Sequence, residues 1–307
     1  MRGGRVLLAG LLVAALTVAC TGTGPSEVPG PGATSAGAGA LPAELGVSAE
    51  MRQSRTGWAD RVVQVRVRND GPLDLTVTAL RLRSPFDTGV ATGTRERLVR
   101  AGVSRDVHVP LAPADCSARD PRADVVVVDL DLASVDGRTT TVSLHPADPL
   151  GHLARIHRED CAALAVAAGA RLALDPDLEV VRDGTVTARV GLVVTPVEGG
   201  PRIDLDTVDG TVLYAPPGRE AAWSLGVSTG PGAAGGEDDA GVQRVEIEVE
   251  AARCDPHAVA EDKRGTVFGV HARVDGVAQE TVYLEAPTEL RRALFDFTGE
   301  ACGWVQE

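Results

Sequence analysis

The stretch VVQVRVRNDGPLDLTV, residues 62–77, decides the fold class of this chain. Apolar residues occupy every second position on both sides of a central Asn69-Asp70-Gly71-Pro72 segment. A two-residue period is typical of a β-strand with one buried face, and the central segment has turn chemistry. The alternating positions are Val63, Val65 and Val67, and then Leu73, Leu75 and Val77.

The pattern changes face soon after this stretch. Leu80 and Leu82 continue the alternation with the opposite parity. A change of parity within one strand requires an extra residue, so we predict a β-bulge near Thr78-Ala79.

Similar strand patterns follow along the rest of the chain. The interpretation as short strands with frequent turns predicts a mainly β protein built as antiparallel sandwiches. The strand positions are Val107, Val109 and Leu111; 125–128; Val186, Ala188, Val190, Leu192 and Val194; Ile203 and Leu205; and Val245, Ile247 and Val249.

An internal repeat divides the chain into two modules. In each copy a cysteine is followed by a Val-Asp-Gly turn, two alternating apolar residues, a proline, a leucine and a second cysteine, and the leucine stands eight residues before that cysteine. We therefore predict β-sandwich modules over residues 45–165 and 166–307. The corresponding positions are Cys116, 135–137, Val142, Leu144, Pro146, Leu153 and Cys161, and Cys254, 274–276, Val282, Leu284, Pro287, Leu294 and Cys302.

The repeat also selects one disulfide pattern. Four cysteines allow three pairings, and only Cys116–Cys161 with Cys254–Cys302 keeps each bridge within one module. Between the turn and the second cysteine we expect one helix per module, capped by Asp148 in the first copy and by Thr288 in the second.

The strand rhythm and the Asn-Asp-Gly turn resemble the immunoglobulin-like modules that are common on bacterial surfaces. This resemblance implies tandem immunoglobulin-like sandwiches, each with one short helix and one disulfide. The Cys–Trp–Cys spacing of true immunoglobulin domains is absent from the sequence, so the resemblance implies no ligand.

The first residues have the pattern of an export signal. Arg2 and Arg5 precede an uncharged run from Val6 to Ala19, which is shorter than the ~20 residues of a membrane-spanning helix. The segment 16–20, Leu-Thr-Val-Ala-Cys, resembles the lipobox of bacterial lipoproteins, with Thr17 where Leu is more common.

The lipobox resemblance implies cleavage between Ala19 and Cys20, lipid attachment to Cys20, and a mature protein on the outer face of the cell membrane. Residues 1–19 would then be the signal peptide. Residues 20–44, rich in Gly, Pro, Ser and Ala, would form a disordered tether. The alternative is an ordinary secretory signal in which Cys20 occurs by chance.

The amino-acid composition limits the classes of partner that the protein can bind. Residues 20–307 contain 28 basic and 43 acidic residues, and a net charge of −15 disfavours nucleic acid as a ligand. Arg supplies 29 of the 30 basic residues, a bias typical of GC-rich genomes such as those of actinobacteria.

Three groups of residues bear on metal binding. Cys254 and His257 are three residues apart, but a disulfide would consume the thiolate. His145, His152 and His157 lack the four-residue spacing of a zinc-binding helix and are interpreted as surface residues. Asp204, Asp206 and Asp209 fail the spacing of a calcium loop and are interpreted as the solvated face of a strand. We therefore predict no metal site and no cofactor.

One segment could support nucleophilic catalysis. Residues 226–230, Gly-Val-Ser-Thr-Gly, match a Gly-x-Ser-x-Gly elbow around Ser228, with His257 and His271 downstream. An elbow needs a helix directly after the serine, whereas Pro231-Gly232 follows here. We therefore predict no catalytic residue and no enzyme.

These observations predict a non-catalytic cell-envelope lipoprotein whose tandem modules bind an envelope protein or a cell-wall polymer. The alternative hypothesis is a small-ligand or metal-binding lipoprotein with its site at the module junction or around His257.

Overall fold

A computed structural model describes residues 45–304, except 59, 94, 118–124 and 231–240. The predicted signal peptide and tether, with Ala19 and Cys20, lie outside these residues. The strands are β1 (Val47–Arg52), β2 (Val62–Asn69), β3 (Leu75–Arg83), β4 (Val90–Thr92), β5 (Arg97–Val99), β6 (Ser104–Pro110), β7 (Val127–Ser134), β8 (Thr139–Leu144), β9 (Ala170–Val181), β10 (Thr187–Pro196), β11 (Ile203–Asp209), β12 (Tyr214–Ala215), β13 (Ala222–Ser228), β14 (Gln243–Ala251), β15 (Val267–Val274), β16 (Val277–Ala278) and β17 (Val282–Glu285). The helices are α1 (His152–Gly169), α2 (Pro256–Glu261) and α3 (Thr288–Ala301).

The first half of the protein is a sandwich of two antiparallel sheets. One sheet has the order β1-β2-β6, and the other has the order β4-β3-β7-β8 with β5 also paired to β3. The alternating valines of β2 and the leucines of β3 and β7 point between the sheets and are buried. The strand period predicted from residues 62–77 is therefore confirmed.

The predicted bulge is present in β3. The register between β3 and β7 shifts between Val77 and Ala79, so that Val77 and Leu80 are both buried although they differ in parity. The turn before β3 is held by Asn69, whose fully buried side chain accepts from Gly71 N and donates to Leu73 O and Val99 O.

The second half is a larger sandwich. One sheet has the order β12-β14-β10-β9, and the other has the order β13-β11-β15-β16 with β17 also paired to β15. Its core lies between these sheets and extends to α3, where the Tyr214 hydroxyl donates to Leu294 O at 2.9 Å and contacts Thr298 Oγ1 at 3.0 Å. The tandem sandwich fold class is thus observed, with α2 as an additional short helix in this half.

Helix α1 belongs to both cores. Leu153 and Ile156 are buried in the first core, whereas Ala162 and Val166 are buried in the second. The predicted module boundary after residue 165 lies within this continuous helix. One rigid element therefore packs against both sandwiches.

Each half contains one disulfide, in the predicted pairing. Cys116 bonds to Cys161 of α1, and Cys254 bonds to Cys302 at the end of α3. Each bridge joins the loop after one strand, β6 or β14, to a helix that covers the sandwich.

The predicted helix caps need correction. Asp148 does accept hydrogen bonds from the first backbone N–H groups of α1, at His152 and Leu153, although Gly151 occupies the cap position. The prediction for Thr288 is wrong, because Thr288 is already the first helical residue and Pro287 precedes it without a side-chain cap. No helix within the described ranges is long and apolar enough to cross a membrane.

Candidate binding site at the junction of the two halves

A cleft lies where α1 meets both sandwiches. Its walls come from the loop before β2, from α1, and from the β15–β17 side of the second half. The cleft has a volume of about 200 Å³. Its lining residues are Gln53, Trp58, Arg61, Ile156, Glu159, Asp160, Ala163, Val267, Thr281, Tyr283 and Glu285.

Local turns of the loop before β2 position Trp58. Ser54 Oγ accepts a hydrogen bond from Gly57 N at 3.1 Å, and Gly57 N also donates to Ser54 O. Arg61 then adopts a positive φ of 52° and donates from its backbone N to Trp58 O at 3.2 Å. These bonds make a compact loop that presents the indole to the second half.

Three side chains form an aromatic contact across the junction. The rings of Trp58 and Tyr283 meet edge-on, with centroids 4.6 Å apart and an interplanar angle of 87°. The Arg264 guanidinium lies 4.0 Å from the Trp58 ring centroid and 5.2 Å from that of Tyr283. Edge-to-face rings and a stacked guanidinium attract each other, so this cluster fixes the indole and joins the halves.

Hydrogen bonds and ion pairs made by charged side chains of α1 support the same junction. Arg155 donates to both oxygens of Glu159, at 2.8 and 2.9 Å, and also to Gln53 Oε1. On the outer side of α1, Arg158 pairs with Glu280 of the second half at 2.7 Å. The first and second halves are therefore tied to one helix by charged as well as apolar contacts.

A network of charged side chains extends from the cleft wall, at Arg61 and Asp160, into the first half. Arg61 donates from Nε to both oxygens of Asp160, at 2.9 and 2.8 Å, and from its terminal nitrogens to Ala112 O. Asp87 lies 3.9 Å from Arg61, and its side chain is only 4% exposed. Its Oδ2 atom has no hydrogen-bond partner among the described residues.

Burial sets the protonation behaviour of Asp87. Loss of solvent raises the pKa of this carboxyl to about 6, and the smaller attraction to Arg61 does not cancel that effect. Asp160 raises the same pKa further, whereas His157 and a hydrogen bond with Ser84 lower it. The first half therefore contains a carboxyl that titrates near neutral pH beside an arginine already engaged by Asp160.

Several polar groups at the cleft have hydrogen-bonding capacity to spare. Glu285 pairs through one oxygen with Arg291 at 3.2 Å. Within the described ranges the other Glu285 oxygen, the Thr281 hydroxyl and the Gln53 amide nitrogen have no hydrogen-bond partner. Arg264 likewise forms no ion pair with a described residue. The cleft thus combines apolar rings with free donors and free acceptors.

The cysteine and histidine candidates are distributed as follows. All four cysteines outside the N-terminal segment are oxidised, so Cys254 offers no thiolate to His257. His157 lies near Cys116 and Cys161, but those two sulfurs are bonded to each other. Asp255 caps α2 by accepting from His257 N, as expected for a helical turn that starts at Asp255-Pro256.

The interpretation of His157 as a surface residue is wrong. Its ring is buried against Phe86, and Nε2 lies 2.9 Å from Asp115 O. His145 precedes α1 and is exposed, and His152 is half-buried, so the three histidines lie in different environments. The reason is the helical repeat, which places His157 on the same face as the core residues Leu153 and Ile156.

The strand residues considered as catalytic or calcium-binding candidates form hydrogen bonds and ion pairs with neighbouring side chains. Ser228 ends β13 and accepts from Arg202 Nε at 3.1 Å, while His271 is bonded to Asp209 at 2.8 Å rather than to Ser228. Asp204 and Asp206 pair with Arg202 and Arg273 on the solvated face of β11. The arrangement expected of a nucleophilic elbow, a helix after Ser228, falls in part on residues outside the described ranges.

Sequence reasoning did not single out the residues of the junction cleft. Trp58 and Tyr283 come from opposite halves, and neither belongs to a recognised motif. One signal could have drawn attention to them, because aromatic residues make up only 3% of the chain. Rarity could not have drawn attention to Arg61, Asp87 and Asp160, since charged residues are common throughout the chain.

Comparisons with known proteins give no family. No family model matches the chain, and no curated protein matches it.

Solved structures match only distantly. They include red sea bream transglutaminase, with 14% identity and a TM-score of 0.21 over 79% of this chain and 32% of that one. They also include the exo-chitosanase CsxA of Amycolatopsis orientalis, with 13% identity and a TM-score of 0.19 over 71% and 25% of the two chains. The receptor tyrosine kinase Torso matches at 8% identity and a TM-score of 0.18, over 83% and 78%. The chain spans about a third or less of the first two proteins, and similarity at this level supports no functional argument.

Proposed function

We propose that this protein is a non-catalytic lipoprotein of the cell envelope, anchored through Cys20 to the outer face of the membrane, that binds an envelope protein or a cell-wall polymer. The single observation that supports binding best is the cleft between two sandwiches that share one helix. Junctions between folded units are common places for binding sites, because neither unit alone encloses the space.

The rigidity of the junction is consistent with a preformed site. The Trp58–Tyr283–Arg264 cluster and the Arg158–Glu280 pair connect the halves, and α1 contributes side chains to both cores. A site whose walls are already held in place loses less conformational entropy when a ligand binds. This supports recognition of a partner by the two halves acting together.

The contacts of the suspected catalytic residues favour binding over catalysis. Ser228 is bonded to Arg202, and His271 is bonded to Asp209, so this pair does not have the nucleophile–base hydrogen bond that serine chemistry uses. The two disulfides and the predicted export signal together favour an extracytoplasmic location, where disulfides persist.

The cleft also supports the second candidate, a small-ligand lipoprotein with its site at the junction. A metal ion suits this cleft less well, because Glu159 and Asp160 are already paired with Arg155 and Arg61. Titration of the purified protein with metabolite mixtures and divalent metals, followed by calorimetry, tests this candidate. A heat of binding for one of these small molecules or metals would favour the small-ligand candidate over a polymer or protein partner.

The main proposal is tested by cross-linking in native envelopes. Tagged protein with Cys20 intact is compared with a Cys20→Ala variant, and captured material is analysed for protein and for wall sugars. Reproducible recovery of one envelope component, lost or strongly reduced with Cys20→Ala, is the expected result. Failure to recover any specific component, with membrane anchoring verified, would contradict the proposal.

A further inference from the structure

The placement of the aromatic residues points to the ligand of the cleft. The chain has only three tryptophans and two tyrosines. Trp223 and Tyr214 are buried in the second core, and Trp304 is exposed after α3. Trp58 and Tyr283 are half-buried and line the junction cleft. Rings placed at an open cleft rather than in a core offer an apolar surface to a ligand that also has polar edges.

The free polar groups around these rings further restrict the chemical class of the ligand. The Gln53 amide nitrogen, the Thr281 hydroxyl and the unpaired Glu285 oxygen supply donors and acceptors side by side. Hydroxyl groups both donate and accept, so a ligand rich in hydroxyls satisfies such a mixed set. A pyranose combines those hydroxyls with an apolar C–H face that packs on an aromatic ring.

The size of the cleft favours part of a chain over a free metabolite. Its volume of about 200 Å³ is smaller than the ~300–1,000 Å³ of typical small-molecule pockets. It opens to solvent along the junction, so one unit of a longer molecule can enter while its neighbours remain outside.

We infer that the junction cleft binds a single sugar residue of a wall polysaccharide, between Trp58, Tyr283, Thr281 and Glu285. This inference rests on the proposed binding function and specifies the polymer. The Trp58 and Tyr283 rings contact the sugar face, and Thr281, Glu285 and Gln53 bond to its hydroxyls.

The experiment measures saccharide binding by the full mature chain with Cys20→Ala, using isothermal titration. The probes are peptide-free glycan strands prepared from peptidoglycan, oligosaccharides of N-acetylglucosamine, and free N-acetylglucosamine. The site variant is Thr281→Val with Glu285→Ala. The matched control is Thr139→Val with Glu246→Ala, which makes the same chemical changes at exposed positions away from the cleft. Circular dichroism checks that both variants fold.

The expected result is binding of a saccharide chain by the wild type, weakened about tenfold or more in the site variant and unchanged in the control, since two hydrogen bonds are lost. Equal binding by the two variants, or no binding of any saccharide, would overturn the inference. Binding of free N-acetylglucosamine without binding of either saccharide chain would overturn the assignment to a polymer. Specific protein capture in the envelope experiment without saccharide binding would refute this inference alone, whereas failure of both experiments would refute the proposed function as well.

Discussion

Replacing Asp87 by asparagine should make the stability of this protein much less dependent on pH near neutrality. Asp87 is buried beside Arg61, and its pKa is raised to about 6 in the folded protein from an ordinary value of 3.8. The folded state therefore binds a proton more tightly than the unfolded state does. The stability that this protonation contributes is fully present below about pH 4 and is lost as the pH rises through about 6.

The size of the effect follows from the pKa difference. About two pKa units correspond to roughly 3 kcal/mol, at ~1.4 kcal/mol for each unit. The side chain is 4% exposed, so solvent screens little of this energy. An asparagine side chain at this position would resemble the neutral carboxyl in shape and would leave the Arg61–Asp160 pair intact. We therefore expect Asp87→Asn to be about 2–3 kcal/mol more stable than the wild type at pH ~8, and nearly equal to it at pH ~4.

Urea unfolding followed by circular dichroism, at several values between about pH 4 and pH 8, measures this difference. Asp183→Asn is the matched control, because Asp183 is exposed and the stability curve of this variant should run parallel to that of the wild type. A constant difference between Asp87→Asn and the wild type at every pH would show that Asp87 is not the source of the pH dependence. So would a variant that is less stable than the wild type at pH ~8.

Three other predictions follow from contacts within the two sandwiches. Asn69→Ala should lower the free energy of unfolding by about 2–4 kcal/mol, because Leu73 O and Val99 O lose a buried donor. Urea unfolding measures this loss against an exposed control, Asp70→Ala, and equal stability of the two variants would contradict the prediction. Removing the Cys116–Cys161 bridge by a double alanine substitution should lower the free energy of unfolding by up to about 4 kcal/mol, since the bridge closes a loop with a sequence separation of 45. An unchanged unfolding midpoint would show that the bridge does not constrain the unfolded chain. Tyr214→Phe should lower the free energy of unfolding by about 1–2 kcal/mol, because the hydrogen bond to Leu294 O between β12 and α3 is lost. Tyr283→Phe is the control, and an equal loss of stability in the two variants would argue against a contribution from the buried bond.

The elements that rest on local patterns could be predicted from the sequence. The valines of β2 and the bulge in β3 follow from side-chain periodicity, which depends only on near neighbours. The disulfide pairing followed from the repeat, which compares one half of the chain with the other. The helical turn after Asp255 followed from a short capping motif.

The junction could not be predicted in the same way. Trp58 and Tyr283 meet because α1 holds two sandwiches together, and no pattern within either half encodes that contact. The burial of His157 was missed for a local reason, since its position four residues after the core residue Leu153, on the same helix face, outweighed its polarity. The raised pKa of Asp87 depends on burial by residues from several elements, including α1.

Site-specific photo-crosslinking in native envelopes tests most directly whether the junction cleft is the binding site. A photoreactive amino acid replaces Thr281 at the cleft in one variant and the exposed Thr139 of β8 in another. If the cleft is the binding site, a specific adduct with one envelope component forms from position 281 and none from position 139. An adduct from position 139 only, or no adduct from either position in correctly anchored protein, would contradict this assignment.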